Sequence, residues 1–394
     1  MGKLVVLMFV AFVDTIGSSM IVPLVPYYAT QMGATGLAVG IIVAGFSLGQ
    51  LISAPGWGRL SDRYGRRPAI LLGLGLSVVA YVAFAFSNTV GLLLAARLLQ
   101  GAGGGTVGVL HAYVTDSADQ EDRAKSLGWL TAATSLGVVI GPAFGSFLTI
   151  AWGHRAPGLA AALLCVAISV FAWRYLAESR DEAARLASAA RRPRAGREAL
   201  ARVLRDAGAP ASRLIWIYAI GIGAFYGTTQ LLPLILSNRF GVTERTVGWF
   251  FMYFGLMGVL IRTLLLGPVV RRFKEARVAR LGLLLLGVGL ALTAASNNYA
   301  LLFTSFTLMP LGTAFLFPCV TSLLSRVVAK NERGLQMGVQ QTYGGISRVA
   351  VPIAAGALVD QFGAGVPFVV AGLFVLLTLT MTSSLETSLG AAPA

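Results

Sequence analysis

The sequence has few charged side chains and few of the residues that bind metals or carry out catalysis. Only 12% of its 394 residues are Asp, Glu, Lys or Arg, and it contains two histidines and two cysteines. Cys165 and Cys319 lack metal-ligand spacing and point to neither a disulfide framework nor a zinc site, so we expect both to be packing residues. Neither an ATP-binding Gly-x-x-x-x-Gly-Lys-Ser/Thr sequence nor a His-Glu-x-x-His zinc motif is present. We therefore expect no bound cofactor or metal and no enzymatic activity.

Apolar residues dominate what remains. Hydrophobic side chains make up 56% of the chain and the mean hydropathy is +0.76, which predicts an all-α integral membrane protein. Spanning a bilayer takes roughly 20 mainly apolar residues per helix, and about twelve such segments fit along the chain. The predicted helices start near Leu4, Leu37, Ala69, Val90, Ala124, Pro157, Leu214, Thr246, Val278, Ala300, Leu335 and Val366. The first segment is long and carries Asp14, so we expect a retained helix rather than a cleaved signal peptide.

The net charge of +15 is distributed unevenly between the predicted loops. Of the 31 Lys and Arg residues, 25 lie on one side of the membrane, while Arg155, Arg239 and Arg245 lie on the other and three lie inside helices. The positive-inside rule then places both termini and the central loop in the cytoplasm. The basic composition therefore indicates topology, and we expect no nucleic-acid partner.

The two halves of the chain resemble each other at an offset of about 210 residues. Gly17–Val25 matches Gly227–Ile235, and Asp122-Arg123 matches Glu332-Arg333. Six helices separate the matched positions, an even number, so the repeats point the same way through the membrane. We predict two parallel six-helix repeats, residues 1–177 and 214–394.

A basic linker, residues 178–213, joins the repeats. Leu200, Val203 and Leu204 occur there at helical spacing beside arginines, which predicts an amphipathic helix. Such a helix suits the anionic inner leaflet, although a solvated linker helix without a lipid role fits the pattern as well.

One basic sequence between the second and third apolar segments, Gly58-Arg-Leu-Ser-Asp-Arg-Tyr-Gly-Arg-Arg-Pro68, predicts a tight cytoplasmic hairpin. It resembles the signature loop of the major facilitator superfamily of secondary transporters. The glycines would allow close approach of the backbone, and Pro68 suits the first turn of a helix. The resemblance implies a charge latch that holds the cytoplasmic side closed, formed by Gly58, Asp62, Arg63, Gly65 and Arg66 with Asp116 as an acidic partner. The second half has Arg271 in place of Asp62, so we expect an asymmetric latch.

The fifth predicted helix contains Gly137, Gly141, Pro142 and Gly145, a pattern that resembles the motif of drug and proton antiporters in this superfamily. Its glycines share one face and permit tight helix packing. The resemblance implies antiport, and Gly17–Pro23 resembles another antiporter pattern. In a chain with 47 glycines, ordinary membrane packing explains the same residues.

Ionisable residues inside a membrane are candidates for function because burying them is costly. Asp14 lies roughly 15 Å deep at 1.5 Å per residue, and we hypothesise that it is the proton-coupling site; a permanent ion pair with a buried arginine is the alternative. Arg97, in Arg97-Leu-Leu-Gln-Gly101, resembles the superfamily motif in which arginine is linked to proton transfer. Gly101, Gly104, Gly108 and His111 follow it on one helical face, which indicates either a cavity wall or a packing seam.

Several polar and aromatic residues in the predicted helices are candidates for a substrate cavity. They are Arg348, Gln50, Tyr226, Gln230, Tyr253, Gln340, Gln341, Tyr343 and His111. Arg262 lies nearer a helix end and could extend its charge to the membrane surface.

Together these features favour a proton-coupled antiporter that exports a hydrophobic or amphipathic molecule, as in multidrug efflux, by alternating access. The excess of buried arginine favours, as an alternative, an anionic or zwitterionic amphiphile such as a lysophospholipid or an organic anion. A receptor or scaffold that does not transport is a third possibility. The 27 Arg against 4 Lys indicate a GC-rich bacterial genome, and hence the cytoplasmic (inner) membrane. Because no ATP-binding sequence is present, we expect an ion gradient, in this interpretation the proton gradient, to drive transport. We also expect a monomer.

Overall fold

All regular structure in the described residues is helical. The computed structural model describes residues 3–117, 119, 121–179 and 194–382. The helices before the linker are α1 (Lys3–Ile21), α2 (Val25–Gln31), α3 (Gly36–Tyr64), α4 (Arg66–Ala85), α5 (Val90–Gly104), α6 (Val107–Ser117), α7 (Arg123–Trp152) and α8 (Ala156–Tyr175). The helices that follow are α9 (Arg194–Arg205), α10 (Pro210–Thr229), α11 (Leu232–Phe240), α12 (Val247–Leu264), α13 (Leu266–Phe273), α14 (Glu275–Ala295), α15 (Tyr299–Val327), α16 (Arg333–Phe362), α17 (Val366–Leu377) and α18 (Leu379–Thr382).

The lengths and compositions of these helices agree with the predicted membrane spans. In the described ranges, ten helical segments are long and apolar enough to cross a membrane, and α10 and α11, bent by 41°, form an eleventh. A shorter apolar helix covers Val366–Thr382 and accounts for the last of the twelve segments. The predicted all-α membrane fold is confirmed.

The repeat is visible as a pair of matching helix breaks. In the first half α1 ends at Ile21 and α2 begins at Val25, and in the second half α10 ends at Thr229 and α11 begins at Leu232. Pro23 and Pro233 lie at these breaks, where the missing proline N–H removes a hydrogen bond of the helix. The matched sequences thus interrupt the first helix of each repeat at the same place.

The helices form two compact units, each mostly from one half of the chain. Unit 1 comprises Met1–Ala34, Ile41–Arg192 and Gly241–Met252, and unit 2 comprises Thr35–Gly40, Pro193–Phe240 and Tyr253–Ala394. Unit 2 therefore includes the start of α3, although most of α3 belongs to unit 1. Unit 1 likewise includes the start of α12, although most of α12 belongs to unit 2.

Glycine is required where these short segments pack. In unit 2 a Cβ on Gly40 would lie 2.3 Å from the carbonyl oxygen of Pro352, and in unit 1 a Cβ on Gly248 would lie 2.0 Å from that of Pro142. Pro142 and Pro352 are equivalent in the repeat, so both units use the same close backbone approach.

Part of the predicted linker forms helix α9, which packs on unit 2. Val203 is 2% exposed, and the Tyr343 hydroxyl donates to the carbonyl oxygen of Leu200 at 3.0 Å. Of the three predicted apolar positions only Leu204 is largely exposed, at 63%. The apolar face of α9 therefore contacts protein at Val203, while the two alternatives for the rest of the helix, a lipid-facing and a solvated surface, stay predictions. Residues 1–2, 180–193 and 383–394, which include both termini and the start of the linker, lie outside the described residues.

Candidate functional site

The basic sequence between α3 and α4 is almost entirely helical, which corrects the predicted hairpin. Helix α3 continues through Tyr64 and α4 begins at Arg66, so only Gly65 is non-helical. Its φ of +107° is one that glycine adopts without steric cost. Pro68 lies in the first turn of α4, as predicted. A Cβ on Gly58 would meet no atom within 4 Å, so the predicted close approach at Gly58 is wrong.

A buried guanidinium joins two carboxylates at this turn. The Arg66 side chain is 7% exposed and lies 3.0 Å from both Asp62 Oδ1 and Asp116 Oδ2. It also donates to the Ser61 hydroxyl at 2.7 Å. The structure thus brings Asp62, Arg66 and Asp116 together, whereas the Arg63 guanidinium lies 5.2 Å from the centre of the Tyr64 ring.

Glu178 is a member of this cluster that the sequence did not indicate. Its carboxylate oxygens accept hydrogen bonds from the backbone N–H groups of Arg66 at 2.9 Å and Arg67 at 3.1 Å. A carboxylate at a helix N-terminus pairs with otherwise unsatisfied N–H groups and with the helix dipole. Glu178 therefore anchors the start of α4, from a position more than 100 residues away in the chain.

The glycines of the antiporter motif pack against α1. A Cβ on Gly141 would lie 2.0 Å from the Ser19 hydroxyl, one on Gly145 would lie 2.6 Å from the Met20 carbonyl oxygen, and one on Gly137 would also meet α1 backbone. Ser19 donates to the Gly137 carbonyl oxygen at 2.8 Å. Helix α7 continues through Pro142 without a break. The predicted tight packing is present, and the link to antiport stays a prediction.

Asp14 and Arg97 lie inside unit 1 without pairing to each other. Asp14 makes no hydrogen bond or ion pair within the described part of the chain. Arg97 is 1% exposed, donates to Gln100 Oε1 at 2.5 Å and lies 5.0 Å from the centre of the Phe46 ring. Its Nε has no hydrogen-bond partner. Among the described residues, therefore, the alternative of an ion pair between Asp14 and a buried arginine is not observed.

Tyr81 lies near both of these residues, and sequence reasoning missed it. Its side chain is 1% exposed, and Asp14, Arg97 and Gln100 all lie within electrostatic range of its hydroxyl. A Cβ on Gly17, one turn along α1 from Asp14, would lie 3.3 Å from the Tyr81 hydroxyl. The cluster draws on α1, α4 and α5, so no spacing within one segment could have revealed it.

The glycine face that follows Arg97 is a packing seam for most of its length. Helix α5 ends at Gly104 and α6 begins at Val107, so the predicted face is not continuous. A Cβ on Gly101 would lie 1.9 Å from the Phe46 carbonyl oxygen, which shows direct contact with α3. Beyond the break His111 is exposed.

Side chains of α3 satisfy the carbonyl groups that this break leaves free. Gln50 donates to the Gly104 carbonyl oxygen at 3.2 Å, and Trp57 donates to that of Ala102 at 2.6 Å. Gln50, a predicted cavity residue, is thus used to support the broken helix.

The remaining cavity candidates differ in what they contact. The Gln340 side chain is fully buried, and its Oε1 accepts from Thr321 at 3.2 Å while its Nε2 has no hydrogen-bond partner. Gln341 is exposed and bonds the Tyr218 hydroxyl at 3.2 Å. Tyr343, as described, is held by Leu200. Tyr226 is 42% exposed, and the Tyr253 hydroxyl forms a hydrogen bond with that of Thr307 at 2.8 Å. Gln230 lies at the end of α10. Arg348 is part-buried, and its Nε has no hydrogen-bond partner.

One sequence with the letters of a hydrolase motif, Gly45-Phe-Ser-Leu-Gly49, lies in the middle of α3. Such a motif requires a sharp turn from a strand to a helix, whereas Ser47 is 6% exposed within a continuous helix. A Cβ on Gly49 would lie 2.2 Å from the Leu98 carbonyl oxygen. These glycines pack α3 against α5.

Twelve apolar segments in two repeats, with isolated charges inside each unit, define a multi-pass membrane protein of the solute-transporter type. The Major Facilitator Superfamily model matches residues 7–272 and 231–387. The chain belongs to the Major Facilitator Superfamily and is a membrane transporter.

The chain is similar to several drug-resistance proteins, and it shares its fold with an organic anion transporter. Multidrug resistance protein 2 of Bacillus subtilis (strain 168) is 28% identical over 381 residues, which cover 94% of this chain and 92% of that protein. The class G tetracycline resistance protein of Vibrio anguillarum is 27% identical over 357 residues, covering 90% and 89%. The crystal structure of the human organic anion transporter MFSD10 shares the fold, with a TM-score of 0.71 at 23% identity over 96% of this chain and 98% of that one.

Proposed function

We propose that this transporter is a proton-coupled antiporter that exports a hydrophobic or amphipathic small molecule by alternating access. Asp14 carries the proposal, because it is a carboxylate in the middle of α1 without an ion-pair partner among the described residues. A charged group at this depth costs at least a few kcal/mol, and a bound proton removes that cost. Since no partner fixes its charge, Asp14 can bind and release a proton as its access to water changes.

The relatives and the charge distribution support the rest of the proposal. The names of the relatives refer to multidrug and tetracycline resistance, which fits export of small amphipathic molecules. The positive-inside distribution fits a bacterial inner membrane with cytoplasmic termini. We propose a monomer that uses the proton gradient and needs no bound cofactor.

The test is efflux of ethidium, a fluorescent lipophilic cation, from proteoliposomes with an imposed pH gradient. Asp14→Asn should abolish the gradient-driven component while the protein stays folded, because the amide is isosteric but binds no proton. Asp14→Glu, which keeps a carboxylate, should retain part of it. Unchanged gradient-driven efflux by a well-folded Asp14→Asn protein would remove Asp14 from the mechanism.

Organic anions are a second candidate substrate class, favoured by the excess of intramembrane arginine over carboxylate. Arg97, Arg262 and Arg348 lie in the apolar helices α5, α12 and α16, whereas the most central acid of the membrane helices is Asp14 in α1. The organic anion transporter MFSD10 has the same fold. If the parent protein moves neither cations nor anions across tight liposomes, the non-transporting receptor or scaffold becomes the better reading.

A further inference from the structure

Unit 2 contains an open cavity lined by both aromatic and polar side chains. Its volume is about 460 Å³, within the usual range for ligand pockets. Helices α10, α12, α15 and α16 form it, and its lining includes Tyr218, Arg262, Phe317, Thr321, Ser322 and Ser325. Arg262 and Ser325 lie in the last turns of α12 and α15. The cavity is therefore near the helix ends that carry the basic loops, on the predicted cytoplasmic side.

Among the described residues that line this cavity, Arg262 is the one with a cationic side chain, and its charge is available. The side chain is exposed and makes no hydrogen bond or ion pair within the described residues. Neighbouring Arg326, in contrast, forms an ion pair with Glu275 at 2.8 Å. A guanidinium offers five N–H donors in a planar fork that fits carboxylate and phosphate groups.

Glu275, a carboxylate bonded to the lining residue Ser322, does not cancel this charge. Glu275 Oε1 accepts from Arg326 and, at 2.9 Å, from the hydroxyl of Ser322. Glu275 Oε2 is buried, so it does not face the cavity. Because Arg326 neutralises Glu275, the uncompensated charge at the lining is the positive charge of Arg262.

The lining hydroxyls use their hydrogens within the protein. Thr321 donates to Gln340 Oε1 at 3.2 Å, Ser322 donates to Glu275, and Ser325 donates to the Ser322 carbonyl oxygen at 2.7 Å. Their oxygens are left as acceptors, so Arg262 provides the donors for an anion. On the apolar side, the Tyr218 and Phe317 rings meet edge to face with centroids 5.4 Å apart.

We propose that this cavity binds the anionic group of an amphipathic molecule, with a carboxylate, sulfonate or phosphate on Arg262 and an apolar or aromatic body against Tyr218 and Phe317. The proposal rests on the transport function proposed above and adds to it a binding site on the side from which exported molecules enter. A soluble organic anion and an anionic lipid headgroup share the chemistry that Arg262 recognises.

The experiment measures binding of a matched pair of probes, 2-naphthoate and its uncharged amide 2-naphthamide, by calorimetry with the full chain in phosphatidylcholine nanodiscs. The parent should bind naphthoate about tenfold more tightly than naphthamide, as expected for one charge-assisted hydrogen-bonding group. Arg262→Gln should lose that preference without losing naphthamide binding, and Arg262→Lys should keep part of it. Arg272→Gln, an equal charge change on exposed α13, is the control and should behave like the parent.

Equal binding of the two probes by the parent, or equal naphthoate affinity in the Arg262→Gln and Arg272→Gln proteins, would overturn the proposal. Arg262 has no partner among the described residues, so both variants should unfold at the parent temperature.

Adding phosphatidylglycerol at high salt, which screens the surface potential, distinguishes a lipid from a soluble anion as the natural occupant. It should displace naphthoate from the parent if the occupant is a lipid, and leave naphthoate bound if the occupant is a soluble anion. If the parent protein shows no proton-driven ethidium efflux but still binds naphthoate in an Arg262-dependent way, proton antiport is refuted and the proposed anion site is not.

Discussion

The two repeats make the same turn at equivalent positions with opposite electrostatics. In unit 1, Gly65 links α3 to α4 with φ +107° and ψ 162°, and in unit 2, Lys274 links α13 to α14 with φ +65° and ψ 155°. In unit 1 the buried group is a cation, Arg66, with carboxylates around it. In unit 2 the less exposed group is an anion, Glu275, whose side chain is 16% exposed beside Arg326 at 63%.

The comparison shows that the repeat conserves backbone geometry more strictly than charge. Each turn needs a residue with positive φ followed directly by a helix, and each has a carboxylate close to the new helix N-terminus: Glu178 in unit 1 and Glu275 in unit 2. What differs is the number of carboxylates that converge. Three carboxylates, those of Asp62, Asp116 and Glu178, contact the side chain or the backbone of Arg66. Because more charges meet there, the turn of unit 1 is the better candidate for the latch.

The largest expected effect comes from removing the central cation of unit 1. Arg66→Met leaves Asp62 and Asp116 without their shared partner, and breaking a buried pair in this way should cost about 3 kcal/mol. Arg326→Met in unit 2 removes an exposed partner and should cost about 1 kcal/mol or less. Thermal unfolding of both variants in nanodiscs compares them. Equal losses would show that the two turns are electrostatically alike.

The next effect separates the two turns by backbone conformation. Gly65→Ala places a Cβ 2.4 Å from the Glu178 carboxylate at a φ that side chains rarely adopt, and should cost about 1–3 kcal/mol. Lys274 has a positive φ that glycine adopts at lower cost, so Lys274→Gly should raise the free energy of unfolding by up to about 1 kcal/mol. Opposite shifts of the unfolding temperature are expected. A Lys274→Gly protein that unfolds earlier than the parent would show that the lysine side chain stabilises its turn.

Much of the fold could be predicted because the signals are local or repeated. Hydropathy over about 20 residues is enough to place each span, and the match of Gly17–Val25 to Gly227–Ile235 places the paired helix breaks. Asp62 and Arg66 are only four residues apart, on either side of the turn at Gly65, so their pairing could be expected from nearness in the sequence. The exception is the basic sequence at Gly58, where polar residues predicted a hairpin although α3 continues through them.

The site could be predicted only in part, because its contacts join residues far apart in the chain. Glu178 and Tyr81 have no local pattern that marks them, and both join clusters built from several helices. The environment of a charge was equally hidden: the sequence placed Arg262 near a helix end, and only the packing of four helices shows that it also lines a cavity there. Sequence identifies costly groups inside the membrane, and packing decides which of them remain unpaired.

A smaller effect tests the carboxylate that anchors α4. Glu178→Gln removes the negative charge from the helix N-terminus and leaves one amide oxygen to accept from the two N–H groups of Arg66 and Arg67. The expected loss is about 1 kcal/mol, less than for Arg66→Met because the contacts of the guanidinium with Asp62 and Asp116 remain. The unfolding temperature of the variant, measured at low and high salt, checks this. A loss of unfolding free energy as large as that of Arg66→Met would show that Glu178 stabilises the turn as strongly as Arg66 does.

The smallest effect on stability is expected for Asp62→Asn, which should change the free energy of unfolding by about 0.5 kcal/mol or less. The Asp62 side chain is already 42% exposed, and Arg66 keeps its contacts with Asp116 and Ser61. If the turn of unit 1 is a latch, this variant should nevertheless change the balance of conformations. A cysteine introduced by Ser325→Cys reports on that balance through its rate of alkylation by an impermeant maleimide, and the native Cys165 and Cys319 are buried and give little background. Arg271→Gln, at the equivalent position of unit 2, is the control and should leave the rate unchanged. A rate that is the same in all three backgrounds would show that pairing at Asp62 stabilises the turn without controlling access, and the asymmetry between the units would then be structural alone.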